Sequence, residues 1–154
     1  MEKATYIKAI FITIFSFMSS IFGALAIPII LLVLCNIIDY ITGLIASPYR
    51  KENVNSYKSI RGIFKKVGMW LLIVVGVILD ELLKYAASTI GITIPLTFLI
   101  ACVVAIWLIC NEAISILENL KDIGTKIPGF LLPLTKNIKS QVENKMKIND
   151  EEGE

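Results

Sequence analysis

The chain has 154 residues, 56% of them hydrophobic, with 15 basic and 13 acidic side chains and a formal net charge of +2. A soluble domain carries about 45–50% apolar residues, and the surplus here is more than one small core can hide; so weak a net charge argues against a nucleic-acid partner. No histidine is present, which excludes Ser-His-Asp and Cys-His catalysis and any His-ligated metal.

No glycine-rich phosphate loop occurs, so neither an enzymatic activity nor a cofactor is expected. Cys35, Cys102 and Cys110 lie in apolar runs without C-x-x-C spacing. They read as small packing residues.

From Ala9 to Ile38 no residue is charged. One unbroken helix over that stretch would run about 45 Å, too long for a hydrocarbon core of about 30 Å. Gly23 and Pro28 mark the break, predicting helices over 5–23 and 27–46. The first gathers Thr5, Lys8, Thr13, Ser16, Ser19 and Ser20 on one arc, interrupted by Ile12, opposite Ile7, Ile10, Phe11, Ile14, Phe15, Met18, Ile21 and Phe22. Three readings stand open for it. It spans the bilayer and packs through its hydroxyls, it lies in the interface plane, or it is a cleaved leader ending at Ala24-Leu25-Ala26.

The second helix begins apolar and then meets Asn36, Asp39, Tyr40, Gly43 and Ser47, whose offsets place them on one side. A polar hinge over 48–66 follows. Its Arg50, Lys51, Lys58, Arg61, Lys65 and Lys66 face a single acid, Glu52, and this bias assigns the hinge to the cytoplasmic side.

The third helix is predicted over 61–86. Its uncharged block, Val67 to Leu79, covers only about 20 Å, so Lys65 and Lys66 are expected to snorkel at one end with Asp80 at the far boundary. Gly76, Asp80 and Lys84 recur at spacing four, which lets Asp80 and Lys84 pair across one turn. Tyr85 to Asn111 is again uncharged. Gly91 and Pro95 are read as marking the start of a fourth helix over about 94–120. On it Asn111, Ser115 and Glu118 share a face, with Glu112 and Asn119 beside it. Gly124 and Pro128 should stop it.

Residues 129–154 form a cytoplasmic tail separate from the membrane part, 1–128. Ile138, Val142 and Met146 repeat at four among Lys136, Lys139, Lys145 and Lys147. Such a helix lies on the anionic cytoplasmic leaflet or packs on its own hinge, and the closing NDEEGE is expected to be disordered. The fold class is thus an all-α membrane protein of three to four spans. The hinge and the tail are cytoplasmic in either count, and the N-terminus is inside with four spans or outside with three.

Asp39 and Asp80 are the sharpest candidates for function. A carboxylate within a bilayer is costly unless it is paired or wet. Each is therefore expected to face a helix partner or a lumen in an oligomer, or else to sit hydrated among headgroups.

Asp39-Tyr40-Ile41-Thr42-Gly43, then Ser59-Ile60-Arg61-Gly62-Ile63-Phe64-Lys65-Lys66, then Asp80, then Asn111-Glu112-x-x-Ser115-Ile116-x-Glu118-Asn119, then Gly124-x-x-Ile127-Pro128 together resemble the toxin-secretion/phage-lysis holin family. The similarity runs over about 30–128. The resemblance implies a phage protein without enzymatic activity that oligomerises in the bacterial cytoplasmic membrane. It would open timed lesions through which an endolysin or a protein toxin crosses, with the bilayer and other copies of itself as partners and an antiholin as a further one. The cargo need not touch it. Asn36, Asp39, Tyr40, Thr42, Gly43, Gly76, Asp80, Asn111, Glu112, Ser115, Glu118 and Asn119 are then candidates for pore lining or oligomer packing, their polar stripes tolerable only through self-association. A non-lytic membrane anchor or a small channel is the competing reading.

Overall fold

A computed structural model of the chain describes residues 2–50, 56–93 and 97–146. All regular structure there is helical: α1 (Glu2–Phe22), α2 (Ala26–Ala46), α3 (Ser56–Thr89), α4 (Leu99–Asp122) and α5 (Leu131–Met146), with one 3-10 turn, Gly23–Leu25, joining α1 to α2. Three stretches, Gly23–Ala46, Ile60–Thr89 and Leu99–Asp122, are long and apolar enough to cross a membrane. The all-α membrane fold expected from the sequence is therefore present.

Helix boundaries follow local chemistry. Gly23 takes φ +50 at the joint, and Pro28 falls in the first turn of α2, where its missing N–H costs nothing. Gly91 ends α3 rather than opening α4: Ile92 N–H donates to Ala87 O at 2.9 Å and Gly91 N–H to Ser88 O at 3.2 Å. That is the left-handed glycine cap, with Gly91 at φ +77. Gly124 ends α4 in the same way, through Thr125 N–H to Leu120 O and Gly124 N–H to Lys121 O, both at 3.0 Å. Pro95, Lys51 and the NDEEGE terminus lie outside the described residues. The expected hinge over 48–66 is shorter than read, because α3 already begins at Ser56 and carries the basic cluster on its opening turns.

The core is apolar and small. Leu25, Ile29 and Leu32 from the α2 side, Met69 and Ile73 from α3, and Ala101, Ala105 and Leu108 from α4 form one buried cluster. On α2 the buried stripe runs Leu25, Ala26, Ile29, Leu32, Asn36, Thr42 and Ala46. It is apolar in its first half and polar in its second. Outward α2 presents Ile27, Leu31, Val33, Leu34, Ile37, Ile38, Ile41, Leu44 and Ile45, all exposed. Polar groups inside and aliphatic groups outside is the arrangement lipid requires.

α1 stands apart. Residues 3–17 are exposed all round, and among its described side chains only those at the C-terminal end, such as Phe22, reach the core. Among the described residues the tail helix packs chiefly on α4, with Lys139 sharing a recess with Lys65 from the basic end of α3. α5 runs back along α4: Leu132 and Pro133 share a recess with Leu117 and Lys121, Glu143 meets Trp107, and Lys145 shares a recess with Val103.

Candidate functional site

Two polar points bracket the apolar core, some 14 residues apart on α3 and therefore about 21 Å along its axis. The first is centred on Lys66. Its Nζ donates to Asp39 Oδ2 at 2.9 Å, Asn36 Oδ1 at 3.2 Å and Glu112 Oε2 at 2.5 Å. One ammonium thus ties α2, α3 and α4 together, and its three donors are fully used. Lys66 was expected to snorkel outward as part of the basic hinge. It turns inward instead, because two carboxylates converge there, and the Glu112 side chain is only 4% exposed. A cation between two anions in a low-dielectric site is more favourable than either anion alone.

Two turns further along α4, Asn119 is buried. Its Nδ2 donates to Thr42 Oγ1 at 3.1 Å and to Asp39 Oδ1 at 3.3 Å, and its Oδ1 accepts from Arg50 Nη2 at 2.5 Å. Arg50 also pairs through Nε with Asp122. Thr42 returns its hydroxyl to Ile38 O at 2.9 Å. Gly43 lies alongside: a Cβ there would stand 3.6 Å from Asn119 Nδ2. The seam Asn36–Asp39–Thr42–Lys66–Glu112–Asn119–Arg50 is therefore closed within one chain, and among the described residues no buried side-chain polar atom lacks a partner. For these seam residues, contrary to expectation, satisfaction does not require other copies. α2 and α4 turn their polar edges toward each other, so a lone chain satisfies them.

The second point is Asp80. Its two carboxylate oxygens accept from Ile100 N–H and Ala101 N–H, each at 2.9 Å. They cap the first turn of α4, whose own preceding residue, Phe98 at φ 59, provides no side-chain cap. An anion at a helix N-terminus satisfies orphan donors and the dipole together. Gly76, one turn back on α3, makes the reach possible: a Cβ there would lie 2.9 Å from Ala101 Cα. Asp80 does not pair with Lys84, as spacing alone suggested. Lys84 meets Glu81 at 3.6 Å on the exposed side, since Asp80 is turned toward α4.

The other sequence candidates fall elsewhere. Asn111, Ser115 and Glu118 line a recess of about 640 Å³ between α3 and α4, together with Lys65, Trp107 and Lys139. Tyr40 is exposed and outside the seam, Arg61 is exposed on α3, and Lys58 lies in the first turn of that helix. Sequence reasoning missed the contact of α5 with α4. There Trp107 Nε1 donates to Glu143 Oε1 at 2.7 Å, and Lys139 Nζ sits 5.2 Å from the centre of the Trp107 ring. A lone tryptophan within an uncharged run was the available signal, because its indole N–H needs an acceptor.

Helices with aliphatic exteriors, joined internally by ion pairs and a trans-acting cap, define a multi-pass membrane protein. The chain belongs to the bacteriophage holin family, whose match covers residues 16–140. It is 36% identical over 128 residues to an uncharacterized protein of Clostridium perfringens, covering 83% of this chain and 84% of that one. It is 34% identical to an uncharacterized 14.9 kDa protein from the nagH 3′ region of C. perfringens, covering 88% and 95%. It is 28% identical to the probable holin of Bacillus phage phi105, covering 79% and 81%. No solved structure matches.

Proposed function

We propose that this chain is a phage holin that assembles in the bacterial cytoplasmic membrane and opens timed lesions through which an endolysin, or a protein toxin, crosses. The observation that carries the reading is the family match over 16–140, with a probable holin of a Bacillus phage among the relatives.

The geometry supports a specific form of it. The Lys66 seam and the Asp80 cap make each chain self-sufficient in lipid, so dispersed copies are stable. Assembly then has to offer the same polar groups something better than their present partners, and water is the better solvent for charge. Asn36, Asp39, Thr42, Gly43, Glu112 and Asn119 are the groups whose solvation would change, while Gly76 and Asp80 hold α3 to α4 throughout. The basic residues Arg50, Arg61, Lys65, Lys121 and Lys126 flank the same end of the three spans, which supports a cytoplasmic position for that end.

Induced expression in bacteria tests this. Uptake of a membrane-impermeant DNA dye should begin abruptly after a delay, and culture density should collapse only when a cytoplasmic endolysin is co-expressed. Steady growth with dye excluded, at verified membrane levels of the chain, refutes it and favours an anchor.

A further inference from the structure

α5 lies at membrane depth. Trp107 is eight residues into α4 and hence about 12 Å from its start, in a helix about 36 Å long, so a core of about 30 Å encloses it. Glu143 and Lys139 sit against that tryptophan. Leu132 and Pro133 lie beside Leu117 and Lys121, and Lys145 beside Val103. The helix therefore covers most of the length of α4. Its inner side, Leu131, Leu132, Thr135, Lys139 and Val142, is half-buried, while Lys136, Asn137, Ser140 and Asn144 point outward and are exposed, flanked at one edge by the exposed Leu134 and Ile138. Hydrocarbon cannot solvate that outer face. The docked position is compatible with a spanning α4 only where water stands beside α5.

A second observation points the same way. The recess adjoining α5 brings Lys65, Asn111, Ser115, Glu118 and Lys139 together among Met69, Leu72 and Ile114. This flank therefore carries polar and charged side chains interleaved with apolar ones, whereas α2 presents aliphatic side chains outward. The whole bundle is thus amphipathic from side to side.

We propose that this strip, the outer face of α5 with the recess between α3 and α4, is the water-facing wall of the lesion. α5 takes this place when copies assemble and lies at the membrane surface when they are dispersed. The inference rests on the pore-forming reading. Docking is stable only beside a lumen, and a lumen exists only once several copies contribute walls. The step is cooperative for that reason.

The test uses the full chain with Cys35, Cys102 and Cys110 replaced by alanine, carrying either Val103→Cys with Val142→Cys or Val103→Cys with Lys145→Cys. Membranes taken before and after the onset of dye uptake receive a pulse of copper-phenanthroline in air, and intrachain disulfide is read by thiol blocking and mass spectrometry. At least tenfold more disulfide after onset is expected. Equal yields, or more before onset, overturn the lumen wall and leave the pore reading intact. A cysteine-free parent that never admits dye overturns both. As an independent variant, Asn137→Leu, Ser140→Leu and Asn144→Leu together should abolish dye uptake while the chain still accumulates in the membrane; unchanged onset overturns the proposal.

Discussion

At the residue scale the decisive group is Lys66. It faces Asp39, Asn36 and Glu112 at hydrogen-bond distance, and its removal strands two carboxylates in a site that cannot hydrate both. Breaking a buried ion pair from one side costs about 3–5 kcal/mol, more than the pair itself contributes. Lys66→Met should therefore destabilise the folded chain in mixed micelles by about 3 kcal/mol, read by denaturant titration. Adding Glu112→Gln removes one stranded charge and should recover at least about 1 kcal/mol of that loss. Equal losses in the single and the double variant would show that Lys66 and Glu112 are not coupled. Asn119 belongs to the same argument with a different sign. It is neutral and satisfied on both sides of its amide by Thr42, Asp39 and Arg50, so it fixes which edge of α4 faces α2 without adding charge.

At the element scale the close contact of α3 with α4 governs where everything else falls. In an exposed helix interior, replacing glycine by alanine stabilises by about 0.8–1 kcal/mol. Gly62, with open space for 4 Å around where a Cβ would stand, should behave that way. Gly76 should not. Its Cβ would meet Ala101 Cα at 2.9 Å and Ala101 N at 3.1 Å, which are backbone atoms that cannot step aside. Gly76→Ala should cost about 1–3 kcal/mol as an overpacking change, and Ile100 and Ala101 amides should exchange faster because Asp80 is lifted off them. Asp80→Ala on top of Gly76→Ala should add less than it costs alone, since both act on one contact. Slow exchange at Ala101 in Gly76→Ala would refute the linkage.

Helix positions were legible because Gly23, Pro28, Gly91 and Gly124 punctuate a strongly apolar chain, and the polar stripe on α2 was legible from spacing. Its partners were not. The stripe's period says which residues share a side and nothing about what lies opposite. Lys66 therefore looked like one more hinge cation, and Asp80 looked like a mate for Lys84, its neighbour in the chain rather than in space. The docking of α5 was invisible for the same reason, because Trp107 and Glu143 are 36 residues apart.

At the scale of the whole molecule, charge distribution and fold together predict a topology. The turn between α3 and α4 carries no Lys or Arg from Tyr85 to Asn111, while Arg50, Arg61, Lys65, Lys121 and Lys126 gather at the other end of the spans. Cationic flanks resist translocation, and Arg50 bound to Asp122 joins the end of α2 to the end of α4 directly. With three spans, α2, α3 and α4, the charge rule predicts the 90–93 turn outside and residue 125 inside. In a cysteine-free chain, Thr93→Cys should react with an impermeant maleimide added to intact cells before dye uptake begins, and Thr125→Cys should react only afterwards. Reaction at Thr125 in sealed cells would invert the topology, and it would put the basic end on the side the charge rule forbids. Lys3→Cys extends the measurement to α1. Among its described side chains that helix makes its contacts at its C-terminal end and is exposed along residues 3–17, so those residues show no packed neighbour of the kind on which a span with a hydroxyl-rich face depends. An amphipathic helix without such a neighbour belongs in the interface plane. Lys3→Cys should accordingly label from outside together with Thr93→Cys, and protection until the onset of dye uptake would instead count α1 as a fourth span.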